Sequence, residues 1–246
     1  MKVILTSSTG GSITENGKRM PAPMFTANGF IKKLQKGWVQ NSKVMIIAGT
    51  PDDYERNDSV CECFRQSCIM SGLSVSHMEI CDDRNKESAS KIKEMDAVVL
   101  SGGHVPSQNR FFKEIGLKDR LADFDGLLIA WSAGSMNCAD IVYAGPELEG
   151  EAIDPNYERW ISGLGLTRIN IFPHFQSLRN EWLDGLRLIE DITFEDSMGH
   201  EIIALNDGTY ITIEDGVTTL FGEAYRIKDG KMELICQNGM SIVLSG

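Results

Sequence analysis

The sequence has no apolar run long enough to cross a bilayer, which takes about 20 consecutive residues. It opens with one short predicted strand, Met1–Ser7, that soon turns polar, so the pattern of a secretory signal is also missing. We therefore expect a cytoplasmic protein that makes no use of a membrane.

Disulfide and metal-binding patterns are missing too. The six cysteines include no Cys-x-x-Cys pair and have no histidine nearby at the spacing of a metal site. Reduced thiols are the expected state in the cytoplasm. We predict no disulfide, no metal site and no organic cofactor; the cysteines in question are Cys61, Cys63, Cys68, Cys81, Cys138 and Cys236.

Basic residues are scarce. The 24 lysines and arginines are outnumbered by 35 aspartates and glutamates, which gives a formal charge of −11. A nucleic-acid surface needs clustered lysine and arginine, so the charge argues against nucleic acid and we expect no such partner. An acidic substrate would need local cations in the site.

With 246 residues, 42% of them hydrophobic, the chain is long enough to bury a substantial core, and we expect one domain over residues 1–246.

Short apolar runs alternate with stretches of helical length through the first 140 residues. Several runs are continuously apolar, as expected for central strands covered by helices on both faces. This alternation predicts the α/β class, with a doubly wound, mostly parallel sheet of the flavodoxin-like type. The predicted strands are 43–49, 73–78, 96–100 and 126–131, and the predicted helices are 52–71, 85–95 and 107–124.

The pattern changes after about residue 145. A long irregular connection precedes a predicted strand over 168–173 and a predicted helix over 179–193. From residue 201 onward, Asp-Gly pairs separate short alternating runs and predict C-terminal antiparallel hairpins. Residues 10–23 read either as a plain surface loop or as a loop that folds over a site.

One strand end has the composition of a nucleophile elbow. The predicted strand 126–131 runs directly into Ser132-Ala133-Gly134, where small residues suit a tight turn between a strand and a helix. The Ser132 hydroxyl would then project from the top of the sheet. The N–H groups of Ala133 and Gly103 are candidate donors to an oxyanion. In the alternative interpretation, Ser132 only caps the helix.

A hydroxyl nucleophile needs a base, and the chain has four histidines. His77 falls within a predicted strand, and His200 lies in a predicted turn. His104 follows the glycines of the Ser101–Gly103 loop and can face the site. His174 ends the predicted strand 168–173, at the edge of a sheet where ligands bind. It is the leading candidate for the base, with a packed or capping histidine as the alternative.

Four segments in order resemble the peptidase E family of serine dipeptidases, which shares its fold with class I glutamine amidotransferases. The resemblance covers the chain from about Met45 to Leu220. Its most specific part is the combination of Trp-Ser-Ala-Gly with Pro-His-Phe. The four segments are Ser101–Gly103, Trp131–Gly134, Ile171–Phe175 and Ile203–Gly208.

The resemblance implies that Ser132 is the nucleophile and His174 the general base. The family's third member is a glutamate before a glycine, and Asp207 holds that position here. Aspartate keeps the carboxylate but is one methylene shorter. A plain type I′ turn residue is the alternative for Asp207.

Two further positions bear on substrate binding. The family has Gly-Gly-Gly-Asn in its oxyanion loop, whereas this chain has Ser101-Gly102-Gly103-His104, so a preference for an N-terminal aspartyl residue is in doubt. The resemblance implies that Arg179 corresponds to an arginine that binds the substrate carboxylate. An ordinary arginine on a helix face is the alternative for Arg179.

The sequence thus predicts a serine-type peptidase that hydrolyses small peptides, as a dipeptidase or exopeptidase, through a Ser-His-Asp acyl-enzyme mechanism. A cyanophycinase-like or small-amide hydrolase is an alternative within the same class. The rival from another class is a non-catalytic binding or sensor protein that keeps the fold. A small peptide is the expected partner, and assembly into a homo-oligomer is left open.

Overall fold

The computed structural model of the protein describes residues 1–244. Two sheets and three small hairpins contain its strands. The strands are β1 (Lys2–Thr6), β2 (Ser12–Glu15), β3 (Lys18–Pro21), β4 (Ser42–Ile47), β5 (Val75–Cys81), β6 (Ala97–Leu100), β7 (Leu127–Trp131), β8 (Ile141–Tyr143), β9 (Trp160–Ser162), β10 (Asn170–Phe172), β11 (Trp182–Leu183), β12 (Leu186–Arg187), β13 (Glu201–Leu205), β14 (Tyr210–Glu214), β15 (Val217–Phe221), β16 (Ala224–Lys228), β17 (Lys231–Cys236) and β18 (Ser241–Leu244).

The helices differ widely in length. The α-helices are α1 (Phe30–Gly37), α2 (Tyr54–Met70), α3 (Val105–Glu114), α4 (Leu117–Ala122), α5 (Ala133–Met136), α6 (Phe175–Leu178) and α7 (Phe194–Asp196). Two 3-10 segments, Ala27–Gly29 and Lys86–Glu94, and one π-helical segment, Leu188–Thr193, complete the set in residues 1–244.

The central sheet confirms the predicted α/β class. Within the described chain it has eight strands in the order β18-β15-β14-β1-β7-β6-β4-β5. The five strands from β1 to β5 in this order are parallel to their neighbours. The three strands at the other edge are antiparallel. The carboxyl ends of β1, β6 and β7 therefore lie side by side.

Alternate residues of each central strand enter different hydrophobic cores. Val3 and Leu5 pack in one core with α3 and α4, whereas Ile4 between them packs in the other with α1 and α2. Successive side chains of a strand point to opposite faces. The parallel strands are buried on both faces, which makes the sheet doubly wound as the continuous apolar runs predicted.

A second, four-stranded sheet in the order β10-β13-β16-β17 lies beside the first, within residues 1–244. Asp215-Gly216 and Asp229-Gly230 turn the predicted hairpins β14–β15 and β16–β17, and all four residues have positive φ. Asp207-Gly208 does not turn a hairpin. It joins β13 in one sheet to β14 in the other, so this part of the hairpin prediction was wrong.

The predicted helix over 179–193 was also wrong. The helix α6 ends at Leu178, and the residues after it form the β11–β12 hairpin and then the π-helical segment. Asp184 and Gly185, with φ of 53° and 82°, turn this hairpin. The Asp-Gly pair favours such a turn, and it overrides the helical spacing of the apolar residues around it.

Residues 10–23, predicted as a loop, contain the β2–β3 hairpin. Its base is fixed to the main body, since the Ala22 N–H donates to the carbonyl of Gly11 and the Phe25 N–H donates to that of Thr9. The thiol of Cys63 on α2 contacts the Gly11 carbonyl at 3.8 Å. The hairpin thus stands against α2, next to the carboxyl ends of the central strands.

Candidate active site

Ser132 occupies a sharp turn between β7 and α5. Its φ of 50° and ψ of −125° are unusual for a residue with a Cβ, and such a conformation costs about 1–3 kcal/mol. The turn is fixed because the Ser132 N–H donates to the carbonyls of Thr6 and Ser7, both at 3.1 Å. The Ser132 side chain makes no capping hydrogen bond with α5, so the capping interpretation does not hold.

Close backbone packing explains the glycines around this turn. A side chain at Gly134 would collide with the carbonyl of Leu100 on the neighbouring strand. A Cβ at Gly102 would lie 3.1 Å from the Cβ of Ser132, which is tighter than ordinary contact. The glycines therefore let the β6 loop and the β7 elbow approach each other.

The backbone N–H groups of Gly103 and Ala133 are the candidate oxyanion donors near Ser132. Gly103 lines the same cavity as Ser132, and Ala133 is the first residue of α5. Neither N–H donates to another group within residues 1–244. Unsatisfied donors next to a serine hydroxyl are what an oxyanion site requires.

His174 is held in place by Asp207 and Ser7. The imidazole Nδ1 lies 2.8 Å from Asp207 Oδ1. The Ser7 hydroxyl donates to the same carboxylate oxygen at 2.7 Å and accepts the His174 backbone N–H at 2.6 Å. His174 itself has a φ of 55°, so its backbone turns sharply at the end of β10. Two residues from distant parts of the chain, Ser7 and Asp207, thus fix the imidazole of His174.

Asp207 remains ionised in this arrangement. Burial alone would raise its pKa, but the hydrogen bonds from His174 and Ser7 outweigh burial and lower the pKa below the usual value. Asp207 does not have the positive φ of Asp215 and Asp229. The alternative interpretation as a type I′ turn residue is therefore wrong.

Ser132 and His174 line the same cleft, although no hydrogen bond joins them in residues 1–244. Catalytic hydrogen bonds are often long in a ligand-free site. The imidazole Nε2 makes no hydrogen bond within the described residues and stays available. The cleft consists of two cavities, of about 460 and 520 Å³, that share Ser132, Glu147 and His174.

His104 borders the larger cavity, but both of its ring nitrogens have protein partners. Nδ1 lies 2.9 Å from Ser107 Oγ, and Nε2 lies 2.9 Å from Glu151 Oε1. A substrate would therefore meet the ring rather than a free nitrogen. Arg179 does not line either cavity; it is exposed and lies over the Phe175 ring at 5.5 Å.

Glu147 lies where the two cavities meet, and no pattern in the sequence points to it. The residue as a whole is exposed at the cleft. Desolvation of its carboxyl group by the surrounding protein raises its pKa to about 7, and the negative charge of Glu151 makes a smaller contribution in the same direction. Ser7 was missed as well. Its signal is its place one residue after β1, because β1 pairs with β7 and so ends beside Ser132.

Among residues 1–244, no group of three or more histidine, cysteine, aspartate or glutamate side chains is arranged to hold a metal ion. None of the helices in this range has the length and apolar character needed to cross a bilayer.

A protein-family model matches most of this chain. The model of Peptidase family S51 matches residues 13–221, which include Ser132, His174 and Asp207. The chain belongs to this family. It is a serine peptidase of the peptidase E type, and the resemblance seen in the sequence is confirmed.

Two solved structures are similar to this family S51 chain over nearly their whole length. One is a peptidase from an acI-B1 Actinobacterium, with 15% identity and a TM-score of 0.67, over 99% of this chain and 96% of that chain. The other is a putative peptidase E protein from Listeria monocytogenes EGD-e, with 14% identity and a TM-score of 0.56, over 99% and 98%. At such low identity the likeness shows the fold alone. No curated protein matches the sequence.

The Ser7 hydroxyl gives a first test of how this S51 site is held together. Ser7→Ala removes the donor to Asp207 and the acceptor for the His174 N–H, so we expect kcat for peptide hydrolysis to fall about 10-fold with little change in KM. Ser7→Thr keeps a hydroxyl and should recover most of kcat. Steady-state kinetics on one dipeptide measures both effects.

Ser42→Ala is the matched control for Ser7→Ala. Ser42 is equally buried and donates to the Val39 carbonyl, at the opposite end of the strands from the cleft. It should lose a comparable stability of about 1 kcal/mol but keep its kcat. A folded Ser7→Ala protein with unchanged kcat would show that this hydroxyl does not position the imidazole.

Proposed function

We propose that the protein hydrolyses short peptides through an acyl-enzyme formed on Ser132, with His174 as the base and Asp207 orienting it. The observation that carries the proposal is the 2.8 Å contact between His174 Nδ1 and Asp207, in a cleft that also holds the strained Ser132. A serine hydroxyl, an imidazole with a free Nε2 and an ionised carboxylate are the parts of a catalytic triad.

Each group has a defined task in this mechanism. The Ser132 oxygen attacks the scissile carbonyl carbon while His174 Nε2 takes the hydroxyl proton. The carbonyl oxygen becomes an oxyanion that accepts hydrogen bonds from the N–H groups of Gly103 and Ala133. His174 then gives its proton to the leaving amine as the C–N bond breaks. Water, deprotonated by the same nitrogen, releases the acid and restores Ser132.

The dimensions of the cleft favour small substrates. Its two cavities, about 460 and 520 Å³, meet at Ser132, so a peptide bond placed there has limited room on either side. The β2–β3 hairpin borders one cavity through Ser12 and Arg19, and the β11–β12 hairpin borders the other through Trp182 and Leu183. These boundaries support a dipeptidase or exopeptidase rather than an enzyme that cuts within long chains.

In the proposed substrate site, His104 lines the cavity with its ring and offers the substrate no free ring nitrogen. Its ring is fixed between Ser107 and Glu151, and it follows the glycines that supply one oxyanion donor. We therefore expect specificity to differ from a strict aspartyl dipeptidase. Arg179 lies outside the cavities, and its role as the carboxylate ligand finds no support in its position.

A panel of dipeptides, aminoacyl amides and internally cleavable peptides tests the proposal, together with labelling by a fluorophosphonate probe. We expect hydrolysis of dipeptides, little hydrolysis of long blocked peptides, and labelling of Ser132 identified by mass spectrometry. Hydrolysis of amides alone would favour a small-amide hydrolase. No labelling and no turnover on any member of the panel would favour a non-catalytic binding protein.

A further inference from the structure

The two sides of Ser132 differ sharply in chemistry. The smaller cavity, called here the apolar compartment, is walled mainly by hydrocarbon and aromatic side chains. They include Met136, Tyr143, Phe172, Leu178, Leu183 and Leu188. The larger cavity, called here the basic compartment, lies between the β2–β3 hairpin, the amino end of α2 and the Ser101–His104 loop. One peptide bond at Ser132 would place one residue in each compartment.

Two arginines face the basic compartment. Arg19 comes from β3 of the hairpin, and Arg56 comes from the first turn of α2. Neither has a salt bridge to a carboxylate within residues 1–244, and the Arg19 guanidinium donates only to Ser12 Oγ at 3.3 Å. Both side chains are solvent-exposed, so their guanidinium groups can take a carboxylate that enters this cavity.

Both arginines are placed by fixed elements. The hairpin is held at its base by Gly11 and Thr9 and packs on α2, and Arg19 pairs across it with Thr14. Arg56 is positioned because its backbone N–H donates to the Asp53 side chain that caps α2, at 3.1 Å. The two arginines therefore line the cavity from two different elements, and each guanidinium can donate a pair of N–H groups to a carboxylate.

The cleft contains carboxylates of the protein itself. An anionic substrate can therefore bind only where nearby cations balance their charge. Glu147 lines both compartments, and Glu151 lies next to it and holds His104. The negative charge of Glu151, and of Glu147 when it is ionised, would repel a substrate carboxylate, except where Arg19 and Arg56 offset it. An anion bound in this cleft belongs in the basic compartment.

We propose that Arg19 and Arg56 bind a carboxylate of the residue that leaves as the free amine, while an apolar side chain of the acyl residue fills the apolar compartment. The inference rests on the proposed peptide hydrolysis at Ser132. With the α-carboxylate as the bound group, the substrate is a dipeptide with an apolar first residue, because only the last residue of a peptide carries a free α-carboxylate next to the scissile bond.

Binding to a catalytically dead protein tests the carboxylate site apart from turnover. In the Ser132→Ala background, calorimetry would compare Leu-Leu with its C-terminal amide. We expect Leu-Leu to bind about 10- to 100-fold more tightly than the amide. Adding Arg19→Gln and Arg56→Gln together should remove this difference and leave the affinity for the amide unchanged. Equal affinities for the two ligands in the parent background would overturn the proposal.

Matched ligands and a control variant identify the source of the carboxylate. Leu-Asp-amide carries only a side-chain carboxylate on the leaving residue, and Asp-Leu-amide carries one only on the acyl residue. Arginine-dependent affinity for Leu-Leu or Leu-Asp-amide supports the proposal and names the α-carboxylate or the side chain as the source. Arginine-dependent affinity for Asp-Leu-amide alone would overturn it. Arg179→Gln, an exposed arginine outside both cavities, should change none of these affinities.

Kinetics in the Ser132 protein separates this proposal from the proposed function. The Arg19→Gln/Arg56→Gln variant should raise KM for Leu-Leu by about 10- to 100-fold at nearly constant kcat, and leave hydrolysis of Leu-Leu-amide as in the parent. Loss of activity on both substrates would contradict a carboxylate role. If the parent hydrolyses neither peptide but binds Leu-Leu through the arginines, the binding site stands and the proposed catalysis fails.

Discussion

Changing Ser132 to alanine is expected to lower kcat for dipeptide hydrolysis by about 10⁵- to 10⁶-fold, the order seen when a triad loses its nucleophile. The hydroxyl makes no capping hydrogen bond with α5, so its removal costs the fold little. Alanine keeps the Cβ, and the elbow conformation at φ 50° is no more strained with it than with serine. Steady-state kinetics and thermal unfolding measure the two effects on the same sample.

Ser177→Ala is the matched control for Ser132→Ala. Ser177 also lines the apolar compartment, but it follows His174 on α6 rather than standing at the β7 elbow. It should keep most of the activity and all of the fluorophosphonate labelling. Undiminished labelling of the Ser132→Ala protein would place the reactive serine elsewhere.

Asp207→Asn is expected to reduce kcat by about 10²- to 10⁴-fold. An amide cannot stabilise the imidazolium that forms during attack, and its NH₂ group can turn toward His174 Nδ1 and favour the wrong tautomer. The Ser7 hydroxyl, which now donates to the carboxylate, would lose a charged acceptor. The ratio of kcat between the variant and the parent, measured on one dipeptide, gives the effect directly.

Asp215→Asn is the control for a change of aspartate to asparagine before a glycine. Asp215 turns the β14–β15 hairpin with positive φ, a conformation that asparagine adopts readily, and it does not line the cleft. We expect unchanged kcat for Asp215→Asn. Near-full activity of Asp207→Asn would show that the Asp207 carboxylate does not orient His174 and that another group does.

The fold class followed from patterns that act over a few residues. Strands such as β4 and β6 are continuously apolar because they are covered on both faces, and this signal survives in the bare sequence. The predicted helix over 179–193 failed for a local reason. Its apolar spacing fits a helix, but Asp184-Gly185 favours a hairpin turn, and this turn overrides the spacing.

The candidate site was predictable to the extent that its groups lie at strand ends. Ser132 and His174 each follow a strand directly, so their places at the carboxyl edge of a sheet can be inferred from the sequence. The contact of Asp207 with His174 could not be derived in this way. It depends on how the connection between β13 and β14 passes from one sheet to the other, which no local pattern specifies.

The sequence by itself determined the sheet, the elbow that strains Ser132, and the family to which the chain belongs, because these depend on short motifs and on the alternation of apolar residues. Only the tertiary structure decided that Ser7 and Asp207 meet at one imidazole, that Arg179 stays outside the cleft, and that Arg19 and Arg56 face it. Those relations join residues far apart in the chain. They arise from strand order and from the packing of hairpins on helices. The residues around a side chain in the sequence do not indicate which distant residues it contacts in the fold.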